Sequence, residues 1–90
     1  MPHSLSSRKR IRQNATGRAR NRVIKNRIRT ARRAFLEAVE SGDLDAARER
    51  LRVCEGLLHR AANNGPIHRG MAGRLIGRMQ IRLNAASAAN

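Results

Sequence analysis

Apolar residues recur along this chain at helical intervals in three separate stretches. Ile24, Ile28, Ala31, Phe35 and Ala38 are spaced 4-3-4-3, and Leu44, Ala47, Leu51, Cys54, Leu58 and Ala61 are spaced 3-4-3-4-3. Both are seams of the kind that line a helical bundle. A third run, Ala72, Leu75, Met79, Leu83 and Ala86, keeps the periodicity but is interrupted by glycine. Gly70, Gly73 and Gly77 each cost about 1 kcal/mol relative to Ala in a helix interior, so the N-terminal half of this element is expected to fray. Two punctuation points separate the runs. Ser41-Gly42-Asp43 offers a glycine to end one helix and an aspartate to cap the next, and Asn63-Asn64-Gly65-Pro66 does the same with proline near a helix start. The pattern predicts helices over 7–41, 43–63 and 66–86, with short tails at 1–6 and 87–90. Connections this short make consecutive helices antiparallel neighbours. The expected fold is therefore all-α, an up-down-up three-helix bundle in one domain. Its first helix, at 1.5 Å per residue, would reach about 50 Å. The apolar seam of that helix begins only at Val23 or Ile24, so the part before it should project beyond the bundle, with Gly17 as a weak point.

Charge changes this picture. The 90 residues carry 20 Lys and Arg against 6 Asp and Glu, a formal net charge of +14. A chain this short buries only about 60–65% of the surface its unfolded form exposes, so help from a partner is expected. Such an excess marks a partner that is a polyanion: nucleic acid, or an acidic membrane surface. The distribution is uneven, at +12 over residues 1–36, −3 over 37–55 and +5 over 56–90. Every acid lies between Glu37 and Glu55, which identifies a part of the fold turned away from the polyanion.

Within the first helix the cations follow their own rule. Arg18, Arg22, Lys25, Arg29, Arg32 and Arg33 form a stripe roughly 130° around the axis from the apolar seam. A solvated face normally mixes signs, because like charges at i,i+4 repel by a few tenths of a kcal/mol and opposite ones attract. No acid relieves this stripe. Arg8, Lys9, Arg10 and Arg12 point in all directions, which suits a segment surrounded by phosphates or one that orders only on binding. Ser6, Ser7, Gln13, Asn14, Asn21 and Asn26 add neutral donors. In the third helix Arg74, Arg78 and Arg82 recur every four residues and continue back to His68 and Arg69, a thinner stripe that reads either as a second contact or as a solvated face. Phe35 is the only aromatic residue. Modules that read single strands stack bases on aromatic rings, so folded RNA or duplex is favoured over single strands.

Other chemistries find little support. Cys54 falls on the second seam and reads as a small core residue, and no Cys and His spacing resembles a metal site. His3 and His59 carry no signal, His68 reads as a hydrogen-bonding or packing residue, and Met71 and Met79 read as packing. Asp45–Arg48 and Glu49–Arg52 have the i,i+3 spacing of intrahelical pairs. No catalytic constellation stands out, so neither an enzyme nor a cofactor is expected. The Arg-rich, acid-free opening imitates a transit peptide. A basic-zipper DNA protein needs three or four sustained heptads, and this seam stops at Gly42 after about two. An architectural DNA-binding protein nevertheless stands as the alternative to RNA. A membrane-surface amphipathic protein is the third reading, and it lacks Trp.

The stretches SSRKRIRQN at 6–14, RARNRVIKNRIRTARRAF at 18–35, AVESGDLDAAR at 38–48 and LLHRAANNGPIHRGMAGRLIGRM at 57–79 resemble the bacterial small-subunit ribosomal protein conventionally numbered twenty. The resemblance covers roughly residues 4 to 85, and because it starts by Ser6 it argues against the transit-peptide reading, so no presequence is expected. It implies a three-helix bundle bound directly to 16S ribosomal RNA, low in the body of the small subunit and early in its assembly. Carried over by position, Arg8, Lys9, Arg10, Arg12, Gln13, Asn14, Arg18, Asn21, Arg22, Lys25, Asn26 and Arg29 would line the RNA, with His68, Arg69 and Arg74 as the second contact. Arg33 and Arg78 join them from the two stripes. The chain departs from the family at Pro66, Gly70 and Gly73. Few or no protein partners, no homo-oligomer, no membrane and no metal are expected, in a cytoplasmic particle.

Overall fold

A computed structural model describes residues 5–89, and His3 together with most of the expected N-terminal tail lies outside them. Three helices account for nearly all of the described chain: α1 over Leu5–Glu40, α2 over Leu44–Asn64 and α3 over Arg69–Ala89. They form the expected all-α bundle, with α2 in the middle, packed against both α1 and α3.

The breaks between helices are built by the residues that signal them. Gly42 adopts φ +80°. Its N–H donates to the Val39 carbonyl at 3.1 Å, while the Asp43 N–H donates to the Ala38 carbonyl at 3.1 Å. This paired arrangement satisfies the last carbonyls of α1, and the left-handed backbone it needs is inexpensive only for glycine. The Asp43 carboxylate then accepts from the Ala46 N–H at 3.1 Å and caps α2. At the other end of α2, Gly65 is left-handed at φ 99° and its N–H donates to the Ala61 carbonyl at 3.0 Å.

The third helix starts at Arg69, three residues later than the sequence pattern places it, and continues to Ala89. Pro66 and Ile67 are spent on a link instead, because Ile67 drops into the core at 8% exposure. At the far end the Ala-rich run from Ala85 to Ala89 favours continuing the helix. Similarly, α1 already includes Leu5 and Ser6, and α2 starts one residue after its cap.

The core contains Ile28, Phe35 and Ala38 from α1, Ala47, Leu51, Cys54, Leu58 and Ala61 from α2, and Ala72, Leu75, Met79 and Leu83 from α3. Ile24, Ala31 and Leu44 are half-buried at its edge. All three sequence seams therefore face one another. No residue over 6–23 of α1 is buried, and the helix first touches the core at Ile24. At about 1.5 Å per residue α1 is roughly 54 Å long and α2 roughly 32 Å. The molecule measures 64 × 21 × 17 Å, so the first part of α1 stands clear of its partners.

Candidate nucleic-acid interface

The expected contact residues are all exposed. Arg8, Lys9, Arg10, Arg12, Gln13, Asn14 and Arg18 lie on the free-standing part of α1. Asn21, Arg22, Lys25, Asn26, Arg29 and Arg33 follow where α1 meets the bundle, and His68, Arg69, Arg74 and Arg78 lie at the start of α3 or along it. Among the described residues, Arg48 and Arg52 alone form ion pairs, with Asp45 at 3.1 Å and Glu49 at 3.7 Å. Both pairs are on α2. The described cations of α1 and α3 meet no carboxylate, so their charge is available to a partner. Two of the others turn to their own helix: Arg60 Nε donates to the Gly56 carbonyl at 3.2 Å, and Arg74 Nε to the Gly70 carbonyl at 3.4 Å.

The basic stripe of α1 and His68, where the α3 stripe begins, are brought together in one place. Lys25, Arg29 and Arg32 of α1 share a groove with Pro66, His68 and Met71 of the α2–α3 turn and α3, over a floor that includes Ile28, Ile67 and Leu75. Helical spacing continues the Met71 flank of α3 through Arg74, Arg78 and Arg82. Sequence periodicity treats these as separate faces of separate helices. Packing of α1 and α3 on the same α2 makes them neighbours.

Not every candidate joins that surface. Asn26 lines a different groove, between α1 and α2, with Val23, Arg27, Thr30, Val53 and Arg50. Arg69 lies on the other side of the turn, beside Ala62 and Gly65. Arg32 differs from the other cations of its stripe. It is half-buried, and its Nε is sealed from solvent with no hydrogen-bond partner. The reason is its position at the edge of the stripe nearest the apolar seam. Burial pushes the Cys54 thiol above its usual range; the nearby Arg32 guanidinium counteracts this, and Glu55 adds to it.

Two features escape sequence reasoning, and a third residue, read as hydrogen-bonding or packing, finds its partner. Ile67 is a core residue outside any helical period, and its only local signal is an apolar residue after proline. Met71, read as packing, is 49% exposed and lines the groove. His68 is the N-cap of α3: its Nδ1 accepts from the Gly70 N–H at 3.0 Å, while its carbonyl accepts from Met71 and Ala72. An imidazole that accepts at Nδ1 carries its proton on Nε2, which remains a donor for a partner.

The acids sit elsewhere. Glu37, Glu40, Asp43, Asp45 and Glu49 surround the α1–α2 turn, and Glu55 accepts from Gln80 Nε2 at 3.1 Å. The long axis thus runs from an acid-free arm to an acidic turn. Among the described residues no group of three His, Cys, Asp or Glu could hold a metal, and no helix is long and apolar enough to cross a membrane.

Comparison with known proteins agrees with this arrangement. A family model described as ribosomal protein S20 matches residues 2–84. The small ribosomal subunit protein bS20 of Alkaliphilus metalliredigens is 44% identical over 86 residues, spanning 96% of this chain and 99% of the relative. The protein of the same name from Nocardia farcinica is 46% identical over 72 residues, 80% of this chain and 84% of its own. That from Rhodopirellula baltica is 39% identical over 90 residues, 99% of this chain and 100% of its own. A basic helix standing clear of a small three-helix bundle, matched along nearly its whole length by these relatives, belongs to the ribosomal protein S20 family.

Proposed function

We propose that the protein is a structural constituent of the cytoplasmic small ribosomal subunit that binds 16S ribosomal RNA directly and braces RNA helices during assembly. The observation that carries this reading is the acid-free stretch of α1 before Glu37, whose cations have no carboxylate partner among the described residues, while α2 holds both ion pairs. An unneutralised stripe along a helix attracts phosphates, and releasing their counterions supplies affinity that falls steeply with salt. Arginine predominates, and its planar fork grips phosphate with two hydrogen bonds at once. The free-standing arm would lie among RNA segments, and the bundle would anchor it against a second contact at His68, Arg74 and Arg78. Membership of a family whose relatives are named for the small ribosomal subunit supports the same role, and that role is structural rather than enzymatic.

The test is a competition between the chain's own 16S RNA and a generic DNA duplex at physiological salt. Preference for the RNA by about a thousandfold or more is expected, within the range that separates specific from non-specific binding. Equal affinity for the two would replace this reading with an architectural DNA-binding role. Co-sedimentation of the native protein with small subunits, followed by crosslink mapping, would then identify the RNA positions touched.

A further inference from the structure

We propose that the groove between α1 and the α2–α3 turn holds one extruded, unpaired nucleotide of the bound RNA, with its base against Arg32 and Met71 and its phosphate on Lys25 and Arg29. This rests on the RNA-binding role proposed above and adds to it a specific receptor for a single base.

The groove differs from the rest of the basic surface in three ways. First, it is concave with an apolar floor and takes three cations of the α1 stripe, whereas the groove between α1 and α2 takes Arg27 and Arg50 from outside that stripe. Its volume of about 280 Å³ lies just below the roughly 300–1,000 Å³ typical of small-molecule sites, so it suits at most one nucleotide rather than a helix edge. Second, its rim carries Lys25, Arg29 and Arg32 and no acid. Third, two of its polar groups are arranged for a partner the chain does not supply. Arg32 is half-buried with its Nε sealed, and its side chain lines the groove without a carboxylate partner among the described residues. His68 is locked by its Nδ1 bond to Gly70, which leaves Nε2 as a donor of fixed tautomer.

A nucleotide answers each of these features. Unstacked bases in RNA loops and bulges can be received on guanidinium planes where no aromatic ring is present. Base oxygens or nitrogens accept from Arg32 and His68, the base covers Met71, which is otherwise half-exposed, and the phosphate meets Lys25 and Arg29. A Watson–Crick pair inside a helix cannot enter, because both faces of its bases are stacked and their Watson–Crick edges are paired.

The test uses the full chain and its own 16S RNA, read by affinity and by base-edge chemical probing at nucleotide resolution. Arg32→Met keeps the length and apolar stem but removes the plane. It is expected to weaken binding about fivefold or more, in line with the loss of one stacked base. Because it also removes an unpartnered buried donor, its melting temperature should stay level or rise, which a merely structural role for Arg32 would not produce. Met71→Gln leaves the charge alone, so the salt dependence of binding should not change. One and the same unpaired nucleotide should become reactive in both variants. Arg78→Met, a cation outside the groove, should weaken binding without exposing that nucleotide. If wild-type protein prefers 16S RNA but neither groove variant exposes an unpaired nucleotide, the groove proposal fails and RNA binding stands. If wild-type protein shows no preference for 16S RNA, both fail. Saturable binding of AMP to the free protein, with RNA binding indifferent to both substitutions, would assign the groove to a free nucleotide and overturn the proposal.

Discussion

Phe35 is the only aromatic residue of the chain, and its side chain is fully enclosed. In a bundle otherwise built from Ala, Leu, Ile, Met and one Cys, it supplies the largest single block of buried surface. Phe35→Ala is expected to destabilise the fold by about 3–5 kcal/mol. For so small a domain that is a large share of the total stability, so urea or thermal denaturation followed by circular dichroism should detect a mostly unfolded variant. The exposed cations call for the opposite outcome. Arg22, Lys25 and Arg29 lie outside the core and have no carboxylate partner among the described residues. Replacing all three by Gln should leave the melting transition within a few degrees of wild type. RNA affinity should fall, and the slope of log K against log salt should shrink by about 2–3, roughly one for each phosphate no longer neutralised. An unchanged slope would show that these residues do not touch phosphate.

Among the elements, α1 combines two different situations. From Ile24 onward one side of it is covered by the rest of the bundle. Before Val23 it stands clear of the other helices, and its cations repel one another. A free helix of that length and charge is marginal in water. Hydrogen exchange on the free protein should therefore show the amides before about Val23 largely unprotected and those from Ile28 to Val39 protected, with protection spreading toward Ser7 when 16S RNA is added. Strong protection of the arm without RNA would refute coupled ordering. The third helix has a different weakness. A Cβ built at Gly73 or Gly77 meets nothing within 4 Å. Gly73→Ala and Gly77→Ala should each stabilise the protein by about 0.5–1 kcal/mol, seen as a higher melting temperature. They should also slow exchange in the first turns of α3. Gly70 is a poorer target, since its Cβ would come within 3.2 Å of His68 Nδ1 and disturb the cap.

For the molecule as a whole, the governing fact is the segregation of charge along a 64 Å axis. The +12 of the first 36 residues and the acids clustered between Glu37 and Glu55 give it an orientation in the field of a polyanion. The basic arm is drawn inward and the acidic turn is held outward. Much of this is legible in the chain itself. The three seams are periodic because each helix must bury one side, and Gly42, Asp43 and Gly65 are capping residues for local backbone reasons, so both can be read from neighbours within a few positions. The exposure of the candidate cations is equally legible, since none of them falls on a seam. What the linear pattern does not contain is any relation between α1 and α3. They are separated in sequence by the whole of α2, and their proximity depends on how each packs against that intermediate helix. The groove joining Lys25 and Arg29 to His68, the half-burial of Arg32, the exposure of Met71 and the insertion of Ile67 all depend on that packing. Local chemistry thus determined the helices, their caps and the basic face. The concave site between them was decided only by tertiary structure, because it exists where two helices meet that share no periodicity.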